Sequence, residues 1–318
     1  MATPGNPHGQ QARRVGIVGA GRSRQGLGPF LARAFAADGW RIIGVSGRDS
    51  AGAARAAAEL GAGLGQPVAP FASARELAAA VDLLVVATPV EVHLDGLEAA
   101  LGAGVPCLCE KPLVGLAQVD AGLRCIAEFG RRGIPLFENC QWPLVLPALH
   151  ALHPELAAGP VRSVAMGLSP SLPGRAMVED SLSHLLSLLQ AAATVEANVC
   201  DVVQRDASPT AERNLVEFTV GGPAGPIDVS LHLQQCPTQP RPAWLAVNGR
   251  RIDRRIGAGY AISFVAADGR EMKVRDPLHE LVYRVGQSLS HGPRERTEAP
   301  ADLALRLRLY AAVLQALG

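Results

Sequence analysis

"RVGIVGAGRSRQGLGPFLARAFAADG", residues 14–39, decides the fold. Its first five residues form an apolar, β-branched run, its middle is too rich in glycine to continue a strand, and its last twelve carry apolar residues at helical spacing. A strand that enters a glycine turn and leaves through a helix opens a dinucleotide-binding unit. Gly19 and Gly21 stand where the first two fingerprint glycines belong, permitting a tight turn and the approach of a pyrophosphate to backbone N–H groups at a helix N-terminus. Arg24 occupies the usual place of the third glycine, and Gly26 and Gly28 follow, so the loop is a few residues longer than usual. Gly19, Gly21, Arg22, Ser23, Arg24 and Gly26 are the candidate phosphate-binding residues.

Outward from this unit the pattern repeats. Strands are predicted at 41–46, 82–88, 105–110 and 134–138, with helices between them: one through 51–61 ending at Gly61, a short one capped by a Ser73/Glu76 box, one over 93–104 and one over 116–131. Alternation of this kind predicts an α/β, doubly wound parallel sheet of the Rossmann type over residues 1–138, with 1–12 as a flexible leader. After Asn139 the character changes. Helical segments at 144–155 and 178–194 precede strands at 213–220, 227–235, 242–248, 251–256 and 261–267, and Asn248-Gly249 and Asp268-Gly269 are two-residue hairpin signals. Residues 139–318 are therefore expected to form an α+β substrate-binding and oligomerisation domain. Its mostly antiparallel sheet has helices on one face, and a terminal helix with apolar residues on one side and arginines on the other closes the chain.

Composition narrows the functions. A chain of 318 residues fits two domains, and 48% apolar residues can fill two cores. A net charge of +1 and the lack of arginines interleaved with aromatics argue against nucleic acid as a partner. No window of 18 apolar residues and no apolar leader is present, which predicts a cytoplasmic protein without a membrane anchor. Six cysteines lack metal-type pairing, and Cys107 and Cys109 share one face of a strand, so buried free thiols and no metal are expected. His150, His153 and His232 have no distinguishing partners.

The end of the second strand reads Ser46-Gly47-Arg48. A hydroxyl and a guanidinium there suit the 2′-phosphate of NADP, while Asp49, one residue on, keeps NAD possible through the ribose hydroxyl. The chain holds thirty Lys and Arg, of which only Lys111 and Lys273 are lysine, and Lys111 lies in "CLCEKPL" (107–113). Arginine keeps the charge but does not give up its proton, so retention of lysine points to proton transfer.

The stretch "ATPVEVHLDGLEAALGAGVPCLCEKPL", residues 87–113, resembles the Gfo/Idh/MocA family of nicotinamide-dependent oxidoreductases. Thr88, Pro89, His93, Glu110, Lys111 and Pro112 match the family's pattern. The resemblance implies that these residues line the floor beneath the nicotinamide, that Lys111 bridges nicotinamide and substrate, and that the bond before Pro112 is cis. A second family signature, Asp followed four residues later by His, is met by Asp180 and His184 in "EDSLSHLLSLL", which share one helix face. Ser187 replaces a further Asp common in the family. Asn139, Gln141 and Trp142 occupy the family's crossing segment and are candidates for the substrate-cleft wall.

Lys111, His184 and Asp180 are thus the expected catalytic residues of an NADP-dependent oxidoreductase acting on a small polyol, sugar-derived or related carbonyl or imine substrate. The alternative is a non-catalytic NAD(P)-sensing regulator of the same fold. Strands such as "WLAV" and "AISFVAA" have apolar residues on both sides, which predicts a homodimer or homotetramer formed through the open sheet face.

Overall fold

The structure, a computed structural model, describes residues 12–21, 26–291 and 298–318. Residues 1–11 of the leader, and Arg22, Ser23 and Arg24 of the glycine loop, lie outside the described residues.

The first half alternates strands and helices as its periodicity predicts: β1 (Arg14–Val18), α1 (Gly28–Ala37), β2 (Arg41–Ser46), α2 (Ser50–Leu64), β3 (Ala69–Pro70), α3 (Ala74–Ala78), β4 (Leu83–Val86), α4 (His93–Ala103), β5 (Cys107–Cys109), α5 (Val119–Arg131) and β6 (Leu136–Glu138). All six strands are parallel in the order β3-β2-β1-β4-β5-β6. Strand order reverses between β1 and β4, and such a switch point is where doubly wound sheets bind ligands. Both faces are covered. Leu84 and Val86 of β4 face one core with Cys107 and Cys109, whereas Leu83 and Val85 face the other with Leu108. That is why these strands read as unbroken apolar runs.

Some boundaries differ from the sequence expectation. α2 does not stop at Gly61 but runs to Leu64 and ends at Gly65 in the left-handed conformation (φ 64°), because Gly61 supplies the carbonyl that the capping Gly65 N–H needs. Ser73 caps α3 by accepting from the Glu76 N–H at 3.1 Å.

The second half contains α6 (Leu146–Leu152), β7 (Ser163–Leu168), α7 (Gly174–Ala192), β8 (Val199–Arg205), β9 (Arg213–Val220), β10 (Ile227–Gln234), β11 (Trp244–Val247), β12 (Arg250–Ile256), β13 (Ile262–Ala266), β14 (Glu271–Val274), α8 (Pro277–His291) and α9 (Pro300–Ala316). The eight strands form one sheet, β14-β13-β12-β11-β7-β10-β9-β8, antiparallel except for the β7–β10 pair. Both dipeptide hairpins are present: Asn248-Gly249 joins β11 to β12, and Asp268-Gly269 joins β13 to β14. α6, α7 and α9 pack on one face of the sheet.

Four strands and one helix exceed the sequence reading: the two-residue β3 in the first half, and β7, β8, β14 and α8 in the second. The last two helices also return to the first half. α8 adds Leu278, Leu281, Val282 and Val285 to the core on the α1 side, and α9 packs against α5 and α7. α9 is not apolar on one side and arginine-bearing on the other in the simple sense expected, because Arg306 points inward and is 5% exposed. The thiols also differ from the expectation: all six are free, but Cys200 is exposed and Cys236 half-buried. Burial pushes the Cys107, Cys109 and Cys140 thiols up, keeping them protonated and inert. No helix among the described residues is long and apolar enough to cross a membrane.

Candidate functional site

Strand ends bring the first-half residues together. Gly19 follows β1, Ser46 ends β2, Thr88 follows β4, Glu110 and Lys111 follow β5, and Asn139 follows β6, so all lie along the carboxyl edge of the parallel sheet. Gly19 adopts φ 90°, and a Cβ there would sit 2.6 Å from the Ala87 carbonyl oxygen, so the turn after β1 admits only glycine. A Cβ on Gly28 would come within 2.6 Å of the Gly19 oxygen, which makes Gly28 the close-packing glycine between helix and strand. Among the described residues nothing lies within 4 Å of a Cβ on Gly21, and Gly26 lies against the Gly21 carbonyl.

Two buried hydroxyls flank that turn without a hydrogen-bond partner among the described residues: Ser46 Oγ and Thr88 Oγ1. Buried polar atoms are normally satisfied. Orphaned hydroxyls beside a glycine turn fit a dinucleotide that supplies the missing partners. Gly47 and Arg48 are exposed, and no shift of role is needed for Asp49, whose Oδ1 accepts from the Gly52 N–H at 2.6 Å and caps α2. Pro89 opens the turn between β4 and α4.

The Lys111–Pro112 bond is cis. Lys111 Nζ donates to Asp180 Oδ1 at 2.6 Å and to the Asp180 carbonyl oxygen at 2.7 Å, so α7 from the second half meets the loop after β5. The Lys111 side chain is 10% exposed and that of Asp180 50%, so the pair has a sheltered cation and an open carboxylate. Burial pushes the Asp180 carboxyl up, but the Lys111 charge and hydrogen bond outweigh it, aided by His184 and Arg241, and hold it below its ordinary range. His184 lies one turn along α7. Burial and the Lys111 charge push its imidazole down to about 3, so it is neutral at neutral pH. Its Nδ1 is buried with no partner among the described residues. Ser187 donates to the His184 carbonyl at 2.8 Å and so bonds to its own helix rather than to the imidazole.

Around this pair the remaining expected residues take distinct places. His93 is 1% exposed, with Nδ1 2.9 Å from the Pro112 carbonyl and Nε2 2.8 Å from the Thr88 carbonyl, and therefore ties the β4 and β5 loops together. Asn139 Nδ2 donates to Glu110 Oε1 at 2.5 Å, and Gln141 Nε2 donates to Asn139 Oδ1 at 3.1 Å. Trp142 is 7% exposed and packs edge-to-face on Phe264 at 6.3 Å, in the core between the halves.

Burial pushes the Glu110 carboxyl up to about 7 against the pull of Lys111 and Asn139. Its ordinary value is 4.5, so the folded protein holds this proton more tightly than the unfolded chain does. That contribution to stability is present at low pH and is lost as pH rises through about 7, on the order of 3 kcal/mol in all. Glu110→Gln, which keeps an acceptor for Asn139, is expected to flatten this fall between pH 4.5 and about 7 in urea unfolding. Parallel curves for parent and variant would assign the titration elsewhere.

A second buried cluster was not foreseen. Arg306 of α9 donates from Nη1 to Glu138 Oε2 at 2.7 Å and pairs through Nη2 with Glu298 Oε1 at 2.5 Å. Glu138 Oε1 in turn accepts from the Leu113 N–H at 3.0 Å. The terminal helix thereby reaches the loop that carries Lys111. The only sequence signal was an arginine at an apolar-face position of α9.

Residues 13–136 match a family described as an oxidoreductase family with an NAD-binding Rossmann fold. The chain is 36% identical over 115 residues to UDP-N-acetylglucosamine 3-dehydrogenase of Acidithiobacillus ferrooxidans, covering 33% of each. It is 29% identical over 185 residues to inositol 2-dehydrogenase of Cereibacter sphaeroides, covering 56% of this chain and 53% of the relative. These matches span a third to about half the length of the curated relatives. The solved structure of the Acidithiobacillus enzyme superimposes with a TM-score of 0.66 at 23% identity, covering 96% of this chain and 97% of that one. The whole two-part architecture is therefore shared with it.

Proposed function

We propose that this chain, whose nucleotide-binding half matches the Gfo/Idh/MocA oxidoreductases, is an NADP-dependent oxidoreductase of a small polyol, sugar-derived or related carbonyl or imine compound. The observation that carries the reading is the meeting of Lys111 with Asp180 and His184 beside the orphaned Ser46 and Thr88 hydroxyls at the switch point of the sheet.

Gly19, Gly21 and Gly26 would hold the pyrophosphate, Ser46, Gly47 and Arg48 the adenosine ribose, and Thr88, Pro89 and Glu110 the nicotinamide end. When bound, the nicotinamide supplies or accepts the hydride. The proton belongs to the chain. His184 is neutral and a weak base, which leaves Lys111 Nζ to give a proton to the substrate oxygen during reduction and to recover it in the reverse direction. Asp180 holds the ammonium in place, and His184 Nδ1 is available to accept a hydrogen bond from a substrate hydroxyl. Asn139 and Gln141 form the adjoining wall, and His93 positions the Lys111 loop without facing the cleft.

The preference for NADP rests on Arg48 being exposed while the carboxylate of Asp49 is engaged as a helix cap. NADPH is expected to bind more tightly than NADH by roughly 1.5–3 kcal/mol, for a charge-assisted contact to the 2′-phosphate. Arg48→Ala should remove most of that preference and leave NADH affinity nearly unchanged. Equal affinities of the parent protein in fluorescence titration would return the ribose to Asp49.

The same reading extends to a homo-oligomer formed through the open face of the eight-stranded sheet. That face carries Trp244 with Arg251 stacked over it at 4.2 Å and His232 at 5.1 Å. The activity itself is tested by following nicotinamide absorbance across a panel of polyols, sugars and their carbonyl forms with both cofactors. A non-catalytic sensor would bind the cofactor and turn over none of them.

A further inference from the structure

Arg254 is a guanidinium that the mechanism above does not use. It lies on the same face of β12 as the buried Ile252, facing the helices and the crossing segment rather than the open sheet face. Its guanidinium sits 5.7 Å from the Trp142 ring, and Nη2 donates to the Arg241 carbonyl at 2.7 Å. Its Nε is buried with no partner, and no carboxylate stands within ion-pair distance of it, among the described residues. A cavity of about 60 Å³ lies beside it, lined also by Gln141, Trp142, Tyr260 and Asp276. Tyr260 holds φ 64°, a conformation unfavourable for an aromatic residue and most often retained at functional positions.

Both arginines are within electrostatic reach of the candidate catalytic residues. The charge of Arg254 helps push the His184 imidazole down, and that of Arg241 helps lower Asp180. Gln141, which lines the same cavity, donates to Asn139 Oδ1, so the cavity adjoins the wall of the cleft that holds Lys111 and Asp180. Asp276 faces the same cavity, but its Oδ1 accepts from the Leu278 N–H at 2.9 Å and caps the start of α8. The Asp276 charge acts on the Arg254 guanidinium from across the cavity, but burial outweighs it, and a guanidinium held away from water with no carboxylate in contact is costly unless an anion arrives to meet it. Its planar fork of donors matches carboxylate and phosphate oxygens, whereas a sugar hydroxyl would leave most of the donors unused.

We propose that Arg254 forms a subsite for an anionic group, carboxylate or phosphate, carried by the substrate whose reacting carbon lies beside Lys111 and His184. This rests on the oxidoreductase reading for the position of the reacting carbon and narrows the substrate class to acidic or phosphorylated sugar-like compounds.

The test is isothermal titration of the NADPH-saturated protein, so that the cofactor's own phosphate positions are filled, with inorganic phosphate, D-glucuronate and D-glucose at constant ionic strength. At least one of the two anions is expected to bind tenfold or more tightly than glucose, and which of them does so separates phosphate from carboxylate recognition. Arg254→Met should weaken that binding roughly ten- to a hundredfold, as loss of a charge-assisted pair implies. Arg255→Met, on the opposite face of β12, should leave it unchanged. If Arg254→Met does not fold, Arg254→Lys keeps the charge without the fork and should still cost several-fold. Anions that bind no better than glucose, or that bind the Arg254 variants as well as the parent, overturn the subsite. Failure of NADPH to bind would instead overturn the oxidoreductase reading, and the same anion titrations on the protein alone would still decide the subsite.

Discussion

Lys111→Arg is expected to lower kcat by about 10² to 10⁴, nearly as much as Lys111→Met, while NADPH affinity changes far less. If the residue served only as a positive charge, arginine would preserve it, and the 28 arginines among the 30 basic residues show that arginine is accepted elsewhere in this chain. Two features make the exchange damaging. A guanidinium does not release its proton, and its planar fork does not fit a position where one nitrogen meets Asp180 Oδ1 at 2.6 Å and the Asp180 carbonyl at 2.7 Å. His184→Ala should fall in the same range and Asp180→Asn somewhat less, since that carboxylate orients the ammonium. A Lys111→Arg enzyme that keeps more than about a third of the parental kcat would make Lys111 electrostatic and return proton transfer to His184.

Arg306→Met should destabilise the protein by about 3–5 kcal/mol, the usual result of removing one partner from a buried ionic cluster. Glu138 and Glu298 would be left without their shared cation; the side chains of Arg306 and Glu138 are only 6% and 3% exposed. Replacing all three, with Glu138→Gln and Glu298→Gln added, should recover a large part of that loss, because the uncompensated charges disappear together. Urea unfolding reads both effects. A loss below about 1 kcal/mol for the single variant would mean that water or another cation reaches the carboxylates. Since Glu138 also accepts from the Leu113 N–H, two residues beyond Lys111, the single variant should lower kcat even where it remains folded.

The nucleotide-binding half was readable because its signals are local. Strand β4 is apolar at every position since both faces are buried, and the helix–strand junctions other than that from α3 to β4 carry a glycine. The meeting of Lys111 with Asp180 was foreseeable only through the family resemblance, because the two residues lie 69 positions apart and nothing local pairs them. Signals were weaker in the second half. β7 holds Gly167, over which the Trp244 indole lies so closely that a Cβ would overlap it, and a glycine kept for that contact dilutes the strand pattern. β8 is an exposed edge strand broken by a register shift between Cys200 and Val203, with Asp201 at φ 53°. Arg254 and Arg306 escaped notice because an inward arginine looks like a surface one until its surroundings are known. In the glycine loop, spacing showed that the third glycine was displaced; it took the packing of Gly28 on the Gly19 carbonyl to show which glycine replaces it.

The central claim is that this chain moves a hydride between nicotinamide and an organic substrate, with Lys111 carrying the proton. Its most direct test is nicotinamide absorbance during turnover by parent and Lys111→Met proteins, with NADPH affinity measured on both. The account predicts turnover of at least one polyol, sugar or sugar-acid compound by the parent, and loss of that turnover by at least 10²-fold in the variant with NADPH affinity retained. Lys111→Met turning over substrate at a rate near the parent's, or a parent that binds NADPH and turns over nothing in the panel in either direction, would contradict it.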